Sequence, residues 1–312
     1  MDGSHDADVS PVVVALGGNT LLGEHGPWTL DEQREAVERT AGRVAAALDA
    51  GHDVVLTHGN GPQVGNLLLQ QERAEETPQL PLDVLVAETQ AQIGYLLQQA
   101  LDNERAAATD CITLVTQVVV DADDPAFDDP TKPVGPFYTE AEAAARPFET
   151  RRVSDGDRPY RRVVPSPEPV EVVEGEEVAR LVQRGNLVVC AGGGGVPVVR
   201  EDGLRGVEAV VDKDRTSRLL AAELGADTLV VLTDVEFAYA NYGEPDQRPI
   251  RAVSAGELRE HLDAGEFGAG SMRPKVEACL RFVEGGGERA VITSPDRLLA
   301  ALDGAAGTRV RA

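Results

Sequence analysis

The sequence contains almost no lysine. Its 312 residues include only three, Lys132, Lys213 and Lys275, against 26 arginines. A gene that prefers arginine codons explains the scarcity, but not why each lysine lies in a segment dense in glycine, proline or aspartate. An ammonium group is a compact, movable point charge, whereas a guanidinium group is a planar fork. The three lysines are therefore candidate functional residues, and ordinary surface ion pairing is the alternative for any one of them.

Positive charge is scarce overall. The chain has 53 acidic and 29 basic residues, a formal net charge of −24, and 42% apolar residues. The apolar share predicts a globular chain rather than a disordered one. The acidity argues against nucleic acid or an anionic membrane as a partner, because both need basic patches. Repulsion among so many negative charges would destabilise the fold at low salt and is screened in a high-salt cytoplasm. We therefore favour a halophilic protein; a generic acidic surface is the alternative.

Cysteines and long apolar runs are also few. Cys111, Cys190 and Cys279 are far apart and show no CxxC or zinc-ligand spacing, so we expect buried thiols. The first ten residues are polar and do not resemble the apolar core of a signal peptide. No apolar run reaches the roughly 18 residues that a membrane span needs. We therefore expect a cytoplasmic protein with no membrane partner.

Short apolar runs alternate with longer amphipathic segments, which is typical of βαβ units and a mostly parallel sheet. The expected strands are 11–16, 53–57, 111–120, 186–191, 228–233, 289–293 and 308–310, with a hairpin over 196–207. The expected helices are 31–50, 63–76, 82–105, 214–224, 271–284 and 297–302. Asp31 is the expected cap of the first helix. We expect 111–120 to be one strand that runs out of the sheet, and 308–310 to be an edge strand.

The amino-acid composition changes in the segment from Asp121 to Pro169. This segment is rich in proline, aspartate and arginine. Such a stretch predicts an inserted subdomain or lid, with a disordered linker as the alternative. Five of the twelve aromatic residues lie in it, and linkers seldom concentrate aromatics. We therefore favour the subdomain.

Glycine-rich turns follow three of the expected strands, at residues 17–19, 58–62 and 192–195. Backbone N–H groups at such turns bind anions, because no Cβ atom obstructs the approach; tight connections are the alternative for any single turn. The sequence has no GxxxxGK[ST] motif, so it is not a P-loop protein. The GNGPQVG segment is one residue too long for a dinucleotide fingerprint, which argues against a Rossmann dehydrogenase.

Two of the lysines lie at expected helix starts. Lys213 stands between Asp212 and Asp214, and Lys275 follows the segment GSMRP. A carboxylate beside an ammonium group can hold it in position for a phosphate oxygen, and phosphoryl transfer depends on such charge stabilisation and alignment. A capping aspartate with an exposed lysine is the alternative for the first of these segments.

Several segments together resemble the carbamate kinases of the amino-acid-kinase superfamily. They include VVVALGGNTLL, VVLTHGNGPQVGNLL, PTKPVGPFYTEAEA, GVEAVVDKDRTS and GSMRPKVEACLRF, in this order from about Val12 to the C-terminus. The resemblance implies one domain over residues 1–312 with a three-layer αβα sandwich, a mostly parallel central sheet and a small protruding subdomain at 121–169. It also implies a homodimer, and reversible transfer of a phosphoryl group between ATP and carbamate, giving ADP and carbamoyl phosphate.

The resemblance also implies roles for particular residues. Lys213 and Lys275 would flank the transferring group, Asp214 would orient both, and Lys132 would close over it. The expected substrate and phosphate site is lined by Gly17, Gly18, Asn19, Gly59, Asn60, Gly193, Gly194 and Gly195. The expected nucleotide site is lined by Thr233, Asp234, Val235, Tyr242, Met272 and Lys275. Mg²⁺ should accompany ATP or ADP, and because no acidic metal motif stands out, the phosphates would supply most of its ligands.

Two departures from the family pattern concern the nucleotide. Arg273 replaces a glycine beside Lys275, which could add a phosphate contact or narrow the site. Residues 236–245, EFAYANYGEP, replace the usual DGVY. A kinase of the same fold with another small acceptor, and a metabolite-binding regulator without catalysis, are the alternative functions. The sequence leaves the direction of the reaction open, whether towards ATP in arginine catabolism or towards carbamoyl phosphate.

Overall fold

The fold is seen in a computed structural model that describes residues 10–22, 29–74, 76–105, 110–267 and 272–312. The side chain of Asn19, and the expected helix start at Ser271, lie outside the described part of the chain. No helix within these ranges has both the length and the hydropathy needed to cross a bilayer.

Strands and helices alternate along most of the described chain. The strands are β1 Val12–Leu16, β2 Val54–His58, β3 Cys111–Thr113, β4 Gln117–Val120, β5 Lys132–Tyr138, β6 Thr150–Arg152, β7 Tyr160–Val164, β8 Pro169–Val172, β9 Leu187–Val189, β10 Val196–Arg200, β11 Leu204–Gly206, β12 Thr228–Leu232, β13 Ala238–Ala240, β14 Arg248–Ile250, β15 Ala252–Ser254, β16 Arg289–Thr293 and β17 Thr308–Arg311. The α-helices are α1 Leu30–Asp49, α2 Gly61–Arg73, α3 Leu82–Glu104, α4 Glu140–Ala144, α5 Gly175–Gln183, α6 Lys213–Glu223, α7 Ala255–Asp263, α8 Met272–Glu284 and α9 Leu298–Leu302.

The expected α/β architecture is confirmed. In the described chain the main sheet has the strand order β15-β17-β16-β12-β1-β2-β9-β3, and its pairings are parallel except between β16 and β17. Successive side chains of a strand point to opposite faces. Val13 and Ala15 of β1 accordingly pack in a core with α5, α6, α7 and α8, whereas Val12, Val14 and Leu16 pack in a core with α1, α3 and α9. Helices therefore cover both faces of the sheet.

A small antiparallel sheet, β5-β7-β6, lies within the 121–169 segment. It is fixed to α2 at several points. The Tyr138 hydroxyl donates a hydrogen bond to Glu72, whose other oxygen lies 3.4 Å from Arg146. A Cβ atom on Gly65 would lie 3.8 Å from the Cα of Gly135, so helix and strand pass close together. That this segment acts as a separate, closing subdomain stays a prediction.

The expected strand over 111–120 is wrong as a single element. The chain divides into β3 and β4, and the second joins another sheet of order β11-β10-β4-β8. The break has a physical cause in the buried side chain of Gln90. This amide accepts from Thr116 N at 2.7 Å, so it takes the N–H that a continuous strand would use for pairing. It also donates to Thr116 O at 3.0 Å, which accepts from Val196 N at 2.8 Å as well.

Three smaller expectations also need correction or addition. Thr29, rather than Asp31, caps α1, in a capping box with Glu32. The strand near the C-terminus is not at the edge, because β15 pairs along its outer side. Helices α4, α5 and α7 were not expected. The hairpin over 196–207 is confirmed by β10 and β11.

The three cysteines are buried and free, as expected. Burial raises the pKa of Cys111 and of Cys190 to about 12 and also raises that of Cys279. The nearby carboxylates of Asp102, Glu174 and Asp214 add to these increases. All three thiols therefore stay protonated at neutral pH.

His58 ends β2 beneath the 192–195 turn, where a Cβ atom on Gly192 would overlap its ring. Burial lowers the pKa of His58 to about 4. The hydrogen bond with the Gly59 carbonyl opposes this decrease of the pKa, whereas the Lys213 cation lowers the pKa further. The imidazole is therefore neutral in the folded protein at neutral pH.

The neutral imidazole should make the protein acid-sensitive in a definite range. The pKa of His58 in the folded state is about 4, below the roughly 6.5 of an unfolded chain, so the unfolded state binds the proton first. The stabilisation that neutral His58 gives the folded state should be complete above about pH 6.5. It should decrease as the pH falls to about 4, by about 3 kcal/mol in all. Urea unfolding of wild type and His58→Gln across this range should show a shrinking difference in unfolding free energy. A difference that does not change with pH would contradict the assignment.

Candidate active site

A buried cluster of two lysines and one aspartate lies at the starts of α6 and α8. The Nζ of Lys213 donates to Oδ1 of Asp214, and the Nζ of Lys275 donates to Oδ2 at 3.1 Å. The side chains of both lysines are 10% exposed and that of Asp214 is 3% exposed. Lys275, 61 positions after Asp214 in the sequence, therefore shares its carboxylate with Lys213.

The helix start is built by hydrogen bonds from its own sequence. Asp212 is the N-cap of α6, and its Oδ1 accepts from the Asp214 N–H at 2.9 Å. The Thr216 hydroxyl donates to Gly194 O at 2.9 Å, which joins α6 to the 192–195 turn. Ser217 Oγ bonds Lys213 O at 2.6 Å and lies 2.6 Å from Thr57 Oγ1, which joins the same helix to β2.

The electrostatics of the cluster favour an anion. Burial lowers the pKa of Lys213, the Asp214 carboxylate raises it, and Lys275 lowers it again; the pKa remains below its usual value. Two ammonium groups on one carboxylate leave an excess positive charge in a poorly solvated place. Such a charge interacts strongly with a phosphate, because little water is present to screen it.

Lys132, the first residue of β5, reaches the same region from the small sheet. Its Nζ lies 2.9 Å from Oδ2 of Asp212, and its side chain is 36% exposed. Burial would raise the pKa of Asp212, but the cation of Lys132, with help from Lys213 and the Asp214 N–H, lowers it well below its usual range. Asp212 is therefore ionised at neutral pH.

The glycine turns meet beside this cluster, because the carboxyl ends of parallel β1, β2, β9 and β12 lie at one edge of the sheet. A Cβ atom on Gly17 would lie 3.0 Å from Leu232 O, and one on Gly59 would lie 3.0 Å from Gly18 N and 3.7 Å from Lys213 Cδ. Side chains at these positions would fill the space between the turns. Bare peptide groups therefore line the edge next to Lys213.

The 192–195 turn has an unusual backbone. Gly193, Gly194 and Gly195 have φ angles of 65°, 89° and 88°, and Ala191, which precedes Gly192, has a φ of 49°. A Cβ atom on Gly193 would overlap the amide of Asn60. That amide donates to Thr89 Oγ1 at 2.8 Å, which fixes its orientation. Turns that combine right-handed and left-handed residues make backbone concavities that suit anions.

The expected nucleotide residues are only partly brought together. Thr233 and Asp234 directly follow β12, with Thr233 buried, and Met272 packs against the core beside the Lys275 turn. Tyr242 is 68% exposed on the β13–β14 hairpin, where its ring lies 6.1 Å from that of Tyr239. Among the described residues no hydrogen bond, ion pair or ring contact joins Tyr242 to the lysines. Arg273 pairs with Glu277 at 2.8 Å on the exposed side of α8.

The part of the chain that the structure describes contains no cluster of three or more histidine, cysteine, aspartate or glutamate residues able to hold a metal ion. The carboxylates of Asp212 and Asp214, which lie in the lysine cluster, are already paired with lysines. The site is thus built to hold anions.

Sequence reasoning missed several supporting residues of the site, including Thr57, His58, Thr89, Gln90 and Ser217. All five are buried polar side chains. Thr57 and Ser217 contact each other, Thr89 binds Asn60, and His58 and Gln90 lie against Gly192. A usable signal was present on α3, where Thr89 and Gln90 interrupt an otherwise apolar helix face. Buried polar groups need hydrogen-bond partners, so such an interruption indicates a structural or functional contact.

Comparison with known proteins agrees with this geometry. Residues 10–294 match the model of the amino acid kinase family. The carbamate kinase of Halobacterium salinarum is 53% identical over 97% of this chain and 98% of its own length, and that of Thermococcus kodakarensis is 49% identical over 96% and 98%. The structure of a Giardia lamblia carbamate kinase bound to AMP-PNP superposes with a TM-score of 0.91 at 43% identity, covering 98% of this chain and 99% of that one.

These similarities extend over nearly the whole chain, including the segments that carry the three lysines and the glycine turns. The chain belongs to the amino acid kinase family and, within it, to the carbamate kinases.

Proposed function

We propose that this protein transfers a phosphoryl group reversibly between ATP and carbamate, giving ADP and carbamoyl phosphate. The observation that carries the proposal is the pair of lysines, Lys213 and Lys275, held on one buried carboxylate beside the glycine turns. The carbamate kinases to which the chain is similar support the choice of carbamate as the acceptor.

The chemistry requires little more than alignment and charge stabilisation. A carbamate oxygen, already anionic, attacks the γ-phosphorus of ATP; the bond from that phosphorus to the bridging oxygen breaks, and ADP leaves. Lys213 and Lys275 neutralise the negative charge on the phosphoryl oxygens, while Asp214 keeps both ammonium groups in place. Peptide N–H groups of the turns at residues 17–18 and 193–195 hold the substrate oxygens.

Mg²⁺ fits this arrangement as a companion of the nucleotide. The carboxylates of the site are engaged by lysines, so the phosphates and water would supply most of the metal's ligands. The ion would add charge neutralisation on the ADP phosphates when bound. A homodimer, a cytoplasmic location and adaptation to high salt remain our expectations from the resemblance and from the net charge of −24.

Removing the Lys213 ammonium should abolish most of the activity. We expect Lys213→Ala to reduce kcat by about a thousandfold, because one preorganised charge at the transition state is worth about 10²–10³. ATP formation from ADP and carbamoyl phosphate, in molar KCl with Mg²⁺, measures the loss. Arg200→Ala is the matched control, since it removes a cation from an exposed pair with Glu171. Turnover unchanged in Lys213→Ala would reject the proposed role.

The 192–195 turn should not tolerate a side chain. Gly193→Ala would combine left-handed strain with overlap of the Asn60 amide, whereas Gly225→Ala has a similar φ, 62° against 65°, and open space. We expect a loss of about 1 kcal/mol for Gly225→Ala and about 1–3 kcal/mol more for Gly193→Ala. Denaturant unfolding measures both, and only Gly193→Ala should raise the KM for carbamoyl phosphate. Equal losses in the two variants would show that the overlap does not matter.

A further inference from the structure

One carboxylate, that of Asp212, connects two parts of the site. Its Oδ1 accepts from the backbone N–H of Asp214 at 2.9 Å, and its Oδ2 accepts from the Nζ of Lys132 at 2.9 Å. The first bond belongs to the helix that carries Lys213 and Asp214. The second belongs to the small β5-β7-β6 sheet. Asp212 therefore touches one residue from each side of the site.

The three lysines are not equally enclosed. Lys213 and Lys275 are 10% exposed, whereas Lys132 is 36% exposed and stands at the outer side of the cluster. An ammonium group has three N–H donors. Within the described part of the chain one of those on Lys132 is taken by Asp212, which leaves two for the oxygens of a phosphate. The ion pair thus orients Lys132 without using up its capacity to bind an anion.

The small sheet is attached to the body of the protein by other contacts as well. Tyr138 and Arg146 bind Glu72, and Arg162 binds Glu208. These bonds do not involve Asp212. Loss of the Lys132–Asp212 pair should consequently leave the sheet in place and free only the lysine side chain.

We propose that Asp212 is a positioning residue for phosphoryl transfer, which holds Lys132 over the phosphate while it caps the helix of Lys213 and Asp214. The proposal rests on the proposed function and adds a residue that acts through Lys132 rather than on the substrate. Lys132 and Asp212 then act together in phosphoryl transfer. The loss of either residue should therefore remove most of the contribution of the pair to kcat/KM.

The substitution Asp212→Asn separates the two tasks of this carboxylate. Asparagine is as good an N-cap as aspartate, so the helix start should persist, but the charge that holds Lys132 is lost. We expect Asp212→Asn and Lys132→Met each to reduce kcat/KM for carbamoyl phosphate by about tenfold or more, a size typical of coupled neighbours. The double variant should be at most about threefold worse than Lys132→Met.

The double-mutant cycle decides between positioning and a merely structural role. If the two losses multiply in the double variant, the residues act independently and the proposal is overturned. Glu171→Gln is the control for removing a carboxylate from an ion pair, since its partner Arg200 is exposed; it should leave kcat/KM unchanged. Asp212→Ser, which also keeps a capping oxygen, takes the place of Asp212→Asn if that variant does not fold.

A second measurement tests the ion pair without reference to any substrate. The chain has only three lysines, so acylation of each by an amine reagent can be followed separately by peptide mass spectrometry. An amine held by a carboxylate is less available than a free one, and we expect Asp212→Asn to raise the acylation rate of Lys132 but not of Lys213 or Lys275. An unchanged rate at Lys132 would overturn the proposal.

The two measurements also separate this inference from the proposed function. A wild-type protein that does not convert carbamoyl phosphate and ADP would overturn the proposed function, and the role of Asp212 in it. Faster acylation of Lys132 in Asp212→Asn would still establish the ion pair in that case. Activity in the wild type with multiplied losses in the cycle would overturn the role of Asp212 alone.

Discussion

The site depends on one carboxylate that is shared by two ammonium groups in a buried position. Asp214 binds both Lys213 and Lys275, and its side chain is almost wholly enclosed. Two cations at such a short separation repel each other strongly where water is scarce, and the carboxylate between them makes the arrangement stable. The excess positive charge that remains is what a phosphoryl group can neutralise.

The rest of the fold serves to bring these three residues together. Lys213 and Asp214 open α6, and Lys275 lies in the first turn of α8, on the same face of the main sheet. Both helices begin at the edge where the parallel strands end, and the glycine turns arise at that edge too. Strand direction, helix starts and bare peptide groups therefore converge on one place. A ligand site at the carboxyl ends of the strands is a general property of open α/β sheets.

The sequence was informative where a local pattern has a local cause. Apolar runs predicted the buried strands, and the rarity of lysine singled out the three cations that the structure places at one site. It was less informative where a distant side chain decides the backbone. The division of 111–120 into β3 and β4 follows from hydrogen bonds of Gln90, which belongs to a helix 26 residues earlier. The cap of α1 was assigned to Asp31 because aspartate is a good cap, but the capping box of Thr29 and Glu32 prevails.

The residues expected to bind the nucleotide stay a prediction, and the sequence alone says little about where they lie in the fold. Tyr242, which the resemblance places at the nucleotide site, lies at the surface on the β13–β14 hairpin. Sequence distance from a strand end does not determine where a hairpin folds. Arg273 likewise points to Glu277 on its own helix. Supporting residues such as Thr89 were overlooked because a polar side chain on a helix indicates a contact but does not name its partner.

The left-handed backbone at Ala191 has a consequence for the timing of recognition. Alanine at a φ of 49° carries a conformational penalty that glycine would escape, and its side chain is fully enclosed next to β9. The surrounding core imposes this geometry while the polypeptide folds. The 192–195 turn after β9 accordingly has its shape before any ligand binds. Little of the binding free energy of an anion is therefore needed to reorder the turn.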